Sequence, residues 1–317
     1  MTKHEYTYQP PAFFRNGHIQ SIFPNIFRRV TKVAYQRERI FTPDGDFIDL
    51  DWSVRNNDRL AIISHGLEGN SNRTYVRGMV KAVNQGGWDA MAWNYRSCSG
   101  ETNRQLRSYH NGVTDDLSLV ISHAKRLKRY SQISLIGFSL GGNLTLLYLG
   151  RETPDPIITK TVVYSVPCDL EGSAKMMEKN SNLIYMKRFL ILLHQKIKAK
   201  KKKFPGRIDD TGFQKIKDFK GFDDRYTAPI HGFANAEDYW QKCSSKPHIP
   251  NIPTPTLIVN ALNDPFLSDT CFPYSEAEAN KNVTLCTPES GGHVGFVSFN
   301  RKNRYWSEQV AVDFLNA

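Results

Sequence analysis

Between residues 60 and 149, short apolar runs alternate with stretches of helical spacing, and no other feature of the sequence restricts the fold as much. Residues 60–64, 89–95 and 133–138 are brief and mostly apolar, as strands buried on both faces must be. Residues 75–85 end at Gly86-Gly87, and residues 114–129 carry Leu117, Val120, Ile121, Ala124 and Leu127 at helical spacing. A crossover helix between two strands makes them a parallel pair, so the repeat predicts a mainly parallel sheet with helices on both faces. Residues 37–41 and 47–52 flank the turn sequence Thr42-Pro43-Asp44-Gly45-Asp46, a hairpin that gives the sheet an antiparallel edge. Three further strands are expected at 158–166, 255–262 and 283–287, and an amphipathic helix at 305–315.

The strand at 133–138 runs into Gly137-Phe138-Ser139-Leu140-Gly141-Gly142, and a helix is expected over 140–149. G-x-S-x-G between a strand and a helix is the nucleophile-elbow pattern. The turn is tight, so its flanks must lack bulky side chains, and the helix start offers free N–H groups and the positive end of a dipole. A serine hydroxyl needs a base to take its proton. Of nine histidines, His293 alone follows the last expected strand, in the glycine-rich Ser290-Gly291-Gly292-His293-Val294-Gly295-Phe296. The carboxylate that orients such an imidazole is sought at a strand end facing the serine. Asp264 stands there, after Val259-Asn260-Ala261-Leu262; Asp169 and Asp269 are its rivals. Acyl transfer also requires donors for the developing oxyanion. The Leu140 N–H is one candidate, and the loop His65-Gly66-Leu67-Glu68-Gly69 offers the Leu67 N–H as the second. His65 is read as an anchor for that loop.

The sequence resembles the YheT-like, or embryogenesis-associated, branch of the α/β-hydrolases from about Pro10 to its end. The resemblance rests on His65–Gly69, Asn94-Tyr95-Arg96-Ser97-Cys98-Ser99-Gly100-Glu101 and Tyr109-His110-Asn111-Gly112. Asn16-Gly17-His18-Ile19-Gln20, Thr227-Ala228-Pro229 and Gly232-Phe233 match as well. Ser97 stands where relatives usually carry Gly, and Asn263 where many carry a second Asp, which leaves Asp264 the sole carboxylate of its turn. The resemblance implies the α/β-hydrolase fold and places the family's triad on Ser139, Asp264 and His293. It also implies an ester hydrolase acting on medium-chain acyl or lipid esters; chemistry by such a triad needs no cofactor or metal. Acyl transfer to an alcohol would use the same three residues, whereas a non-catalytic binding or membrane-docking member of the fold would be expected to lack one of them.

The expected organisation is an N-terminal arm over 1–36, a hydrolase core over 37–167 and 248–317, and a helical, basic lid over 168–247 between the sixth and seventh strands. The net charge of +11 is concentrated in that insertion. Residues 171–220 hold 14 Lys and Arg against 5 Asp and Glu, a local balance of +9. Within it, residues 182–198 read as an apolar helix followed by Lys200-Lys201-Lys202-Lys203. Two readings stand: a lid helix with solvated lysines, or a helix lying on an anionic bilayer through residues 183–203. Nucleic acid is not expected, because the lysines lack interleaved aromatics and no recognition motif accompanies them. Residues 1–11 lack an apolar signal core, no run reaches the roughly 20 apolar residues of a membrane span, and the five cysteines form no C-x-x-C pair. The expectation is a cytoplasmic protein with reduced thiols, peripheral to a membrane if the second reading of the insertion holds.

Overall fold

The computed structural model describes residues 6–317; residues 1–5 of the expected arm lie outside it. Eight strands form one sheet: β1 Gln36–Phe41, β2 Phe47–Ser53, β3 Arg59–Ser64, β4 Asp89–Asn94, β5 Gln132–Phe138, β6 Ile158–Tyr164, β7 Thr256–Val259 and β8 Val283–Cys286. Their spatial order is β1-β2-β4-β3-β5-β6-β7-β8. β1 pairs antiparallel with β2, and β2 with β4, while β4 to β8 run parallel. The helices are α1 Gly17–Phe27, α2 Thr74–Gln85, α3 Thr114–Arg126, α4 Leu140–Arg151, α5 Leu170–Met177 and α6 Leu183–Lys203. They continue with the short α7 Phe219–Phe222 and α8 Ala228–His231, then α9 Ala236–Cys243, α10 Tyr274–Glu278 and α11 Trp306–Asn316.

Strand side chains alternate between two cores, as the two-residue period requires. Leu60 and Ile62 of β3 face a core shared with α3 and α4, whereas Ala61 and Ile63 face one shared with α2 and α11. β3 lies at the centre, with Ile62 opposite Met91 on one side and Leu135 on the other. Most of the apolar spacing read from residues 114–129 is the buried face of α3, with Leu117, Val120, Ile121 and Ala124 almost solvent-free, whereas Leu127 lies past the helix end and is exposed.

Strand ends are shorter than expected. β6 stops at Tyr164 and β7 at Val259, because the chain beyond them turns to build the sheet's carboxyl rim. There the Asn260 side chain accepts from Val166 N–H and donates to the Val166 and Cys271 carbonyls. The long insertion helix runs further than expected, through Lys203, since lysine is a good helix former and Pro205 is the first residue unable to continue it. Between β6 and β7 the described chain is helical, and Lys246 N–H donates to Cys168 O at 3.0 Å, drawing the two ends of the insertion together. α1 has no counterpart in the sequence reading; the Asn16 side chain caps it by accepting from His18 and Ile19 N–H.

Candidate active site

The elbow is built as its glycines predict. A Cβ on Gly137 would come within 2.6 Å of Gly141 O, and one on Gly141 within 2.5 Å of Ser64 O and His65 O. Ser139 sits between β5 and α4 at φ 53°, ψ −120°, a region that costs an ordinary residue about 1–3 kcal/mol. The surroundings hold it there: Ser139 N–H donates to Tyr164 O at 2.9 Å, and Ser139 O accepts from Asn143 N–H at 3.0 Å.

His293 reaches Ser139 from the loop after β8, with Nε2 2.9 Å from Oγ. On its other side Nδ1 lies 2.9 and 3.1 Å from the two oxygens of Asp264, whose side chain is solvent-free. An ionised carboxylate can only accept, so Nδ1 carries the proton and Nε2 is left to accept from the serine hydroxyl. Asp264 also accepts from Phe266 N–H at 2.9 Å, and the Phe266 ring stacks on the imidazole with centroids 4.1 Å apart. The rivals lie elsewhere: Asp169 caps α5 through Gly172 N–H, and Asp269 opens an exposed turn.

Beside the serine, the Gly66 backbone passes so close that a Cβ there would stand 3.2 Å from Ser139 Cβ. Gly66 N–H donates to Tyr75 Oη and Glu68 N–H to Tyr109 Oη, each at 2.9 Å. The amides on either side of Leu67 are thus engaged away from the serine, while Leu67 and Leu140 line the same cavity as Ser139 and His293. Burial drives the His65 imidazole down to about 3, so it is neutral. Its Nδ1–H donates to Gly66 O at 2.8 Å and its Nε2 accepts from Tyr95 N–H at 3.3 Å, which makes it the anchor of this loop.

Several residues that hold the site were not singled out in the sequence. Ser21 of α1 accepts from His293 N–H at 2.8 Å, and Ser165, just past β6, accepts from Val294 N–H at 2.9 Å. Gln20 accepts from Tyr8 Oη and Val297 N–H. Gln20 belongs to a segment noted only as resemblance, and nothing local to Ser21 or Ser165 announces a partner more than 100 residues away.

The cavity above the serine is roofed by the insertion. Met177 of α5, Phe189 and Leu193 of α6, Phe219 and Phe222 of α7, and Phe266 make its apolar wall. Two lysines of the insertion are not solvated as expected. Lys200 is buried and donates to the carbonyls of Gln105, Leu106 and Arg107; burial pulls its ammonium down to about 7. Lys196 lies 3.0 Å from Glu68 Oε1 and 4.5 Å from the Tyr109 ring centroid, tying α6 to the loop that carries Leu67. Among the described residues, no cluster of His, Cys, Asp or Glu could hold a metal, and the cysteines are free thiols.

Asp223, which also lines the cavity, accepts from Thr227 Oγ1 at 2.5 Å and Trp240 Nε1 at 2.9 Å. Burial pushes its carboxyl from 3.8 up to about 7. The folded protein therefore keeps this proton when the unfolded chain has lost it. The associated stability is complete below the unfolded value and is lost as pH climbs through about 7. Asp223→Asn is accordingly expected to gain thermal stability relative to wild type between pH 4 and pH 8. A difference in unfolding midpoint that does not move with pH contradicts this.

A mostly parallel sheet, a serine at the turn into a buried helix, and an imidazole and carboxylate meeting it at the sheet's carboxyl rim define the architecture of an α/β-hydrolase. The sequence profile of the Hydrolase_4 family, described as serine aminopeptidase, S33, matches residues 55–270. YheT of Escherichia coli (strain K12) is 36% identical over 314 residues, covering 96% of this chain and 92% of that protein. Phospholipase ABHD3 of Homo sapiens is 27% identical over 98% of this chain and 79% of its own length. Among solved structures, an esterase of Pyrococcus furiosus superposes with a TM-score of 0.61 at 16% identity, covering 97% of this chain and 98% of that one, a likeness of fold. The chain belongs to the YheT-like branch of the Hydrolase_4 family of α/β-hydrolases.

Proposed function

We propose that the protein hydrolyses carboxylic esters of medium-chain acyl or lipid type through a Ser139–His293–Asp264 triad. Ester hydrolysis is the chemistry shared, by name, among relatives that include a phospholipase and the monoacylglycerol lipase of Saccharomyces cerevisiae. The observation that carries the mechanistic reading is the 2.9 Å approach of His293 Nε2 to Ser139 Oγ, with Nδ1 held by a buried carboxylate.

His293 takes the hydroxyl proton as Ser139 Oγ bonds to the ester carbonyl carbon. Leu67 and Leu140 N–H groups hold the oxyanion, each such donor contributing about 3–4 kcal/mol to the transition state. The carbon–oxygen bond to the alcohol breaks, and the alcohol leaves with the proton from His293. Water then attacks the acyl-enzyme, giving its proton to the same nitrogen, and the acid is released as the serine is restored. The aromatic roof supports an acyl chain as the group bound, since it offers apolar surface and few polar partners.

A fluorophosphonate probe should label Ser139 covalently, and an ester series from acetyl to long acyl chains should peak in kcat/KM at medium length. Absence of labelling in a protein that hydrolyses esters would sink the triad assignment. A profile highest for acetyl and falling with every added carbon would sink the acyl-chain reading while leaving the triad intact.

A further inference from the structure

We propose that the protein docks on anionic lipid surfaces through the junction of α1 with the N-terminal end of α6, and not through the polylysine end of α6. The polylysine end is largely committed within the protein. Lys200 is buried on three carbonyls, Lys201 pairs with Asp210 at 2.6 Å, and Lys203 donates to Thr102 O at 3.1 Å. Unpartnered apolar surface collects instead at the other end of the helix. There Leu183 and Ile184 are 51% and 69% exposed, and in and before α1 Ile19 and Phe13 are 46% and 92% exposed. The two segments meet where His18 Nδ1 lies 3.1 Å from Tyr185 Oη, and Ile22 of α1 packs into the same cluster as Tyr185 and Phe266.

The occupant follows from the charges around this patch. Neither residues 6–37 nor residues 179–208 contain an Asp or Glu. Arg15, Arg29, Lys187 and Arg188 stand exposed among the apolar side chains. Exposed apolar side chains on two segments that carry cations and no acidic residue match the boundary of an anionic bilayer, where acyl tails take the former and headgroups the latter. A protein partner of mixed charge would set basic groups against these cations.

The junction is linked to the reactive centre through two ring contacts. The Tyr185 ring packs edge-on against Phe266, with centroids 4.8 Å apart, and Phe266 stacks on His293. Docking at this junction would hold the protein at the surface where lipid esters lie, a role that rests on the ester-hydrolase reading, whereas the binding itself does not.

Vesicle co-sedimentation of the full chain tests the inference without any turnover. Wild type should sediment with phosphatidylcholine vesicles containing phosphatidylglycerol, far less with phosphatidylcholine alone, and less as salt is raised. Phe13→Ser/Ile19→Ser/Ile184→Ser should lower partitioning on the order of tenfold or more, with hydrolysis of a short soluble ester unchanged. Lys198→Ser/Lys202→Ser should lower it much less. Loss of binding in the lysine variant but not in the apolar one would overturn the proposal. So would a wild type that ignores anionic vesicles, or one whose patch proves to be a dimer contact, with the apolar variant becoming monomeric while its vesicle binding stays the same.

Discussion

Ser139→Ala is expected to lower kcat on a short p-nitrophenyl ester by a factor on the order of 10⁶, with the unfolding midpoint nearly unchanged. The alanine removes the atom that forms the acyl bond, while the turn stays held by Ser139 N–H on Tyr164 O and Asn143 N–H on the carbonyl of residue 139. Asp264→Asn should cost about 10⁴-fold. An asparagine can offer its NH₂ to Nδ1, which favours the tautomer whose Nε2 carries the proton and can no longer take one from the serine. Because the groups act as a unit, Ser139→Ala/Asp264→Asn should be no slower than Ser139→Ala alone. Retention of most activity by the alanine variant would assign the nucleophile elsewhere. Additive losses in the double variant would mean that the carboxylate acts by another route.

Arg96→Met should destabilise the fold by about 3–5 kcal/mol in urea unfolding, because it strips the counter-charge from carboxylates that cannot reach water. The Arg96 side chain is 2% exposed, with Nε and Nη2 each 2.8 Å from Asp116 and Nη1 2.7 Å from Asp44 and 3.1 Å from Asp46. The Asp116 and Asp46 side chains are 4% and 0% exposed. Arg96 thereby pins the start of the loop that later supplies Tyr109, His110 and Asn111 to the cavity wall. In contrast, Arg107→Met removes an ion pair with Asp115 whose two side chains are 32% and 60% exposed, so water compensates both partners in part. Its loss should be clearly smaller, as expected for a cation that water can still reach. Equal losses in the two variants would show that burial is not what sets the strength of the Arg96 cluster.

Residues noted in the sequence only for their family pattern take physical form in this network. Arg96 is a buried cation shared by three carboxylates, and Glu68 is the link between the Leu67 loop and Lys196 on α6. Gly17 sits where α1 crosses the Asp264 turn, so close that a Cβ would fall 1.9 Å from Asn263 O. Each of these roles depends on two segments meeting, which no local pattern encodes.

The sequence by itself determined the sheet with its covering helices and singled out the three polar groups of the proposed triad. Strand and helix periods are local, and the strand–turn–helix setting around Ser139 admits few readings. Only a late histidine and a carboxylate at a strand end can complete it. Tertiary structure alone decided what holds those groups still and which lysines of the basic insertion turn inward. Ser21, Ser165 and Phe266 position His293 across long stretches of chain, and Lys196 and Lys200, which look like solvent-facing charges in a run of lysines, turn inward. Burial and pairing of a charge depend on what the fold brings beside it, and a lysine's sequence neighbours carry no record of that.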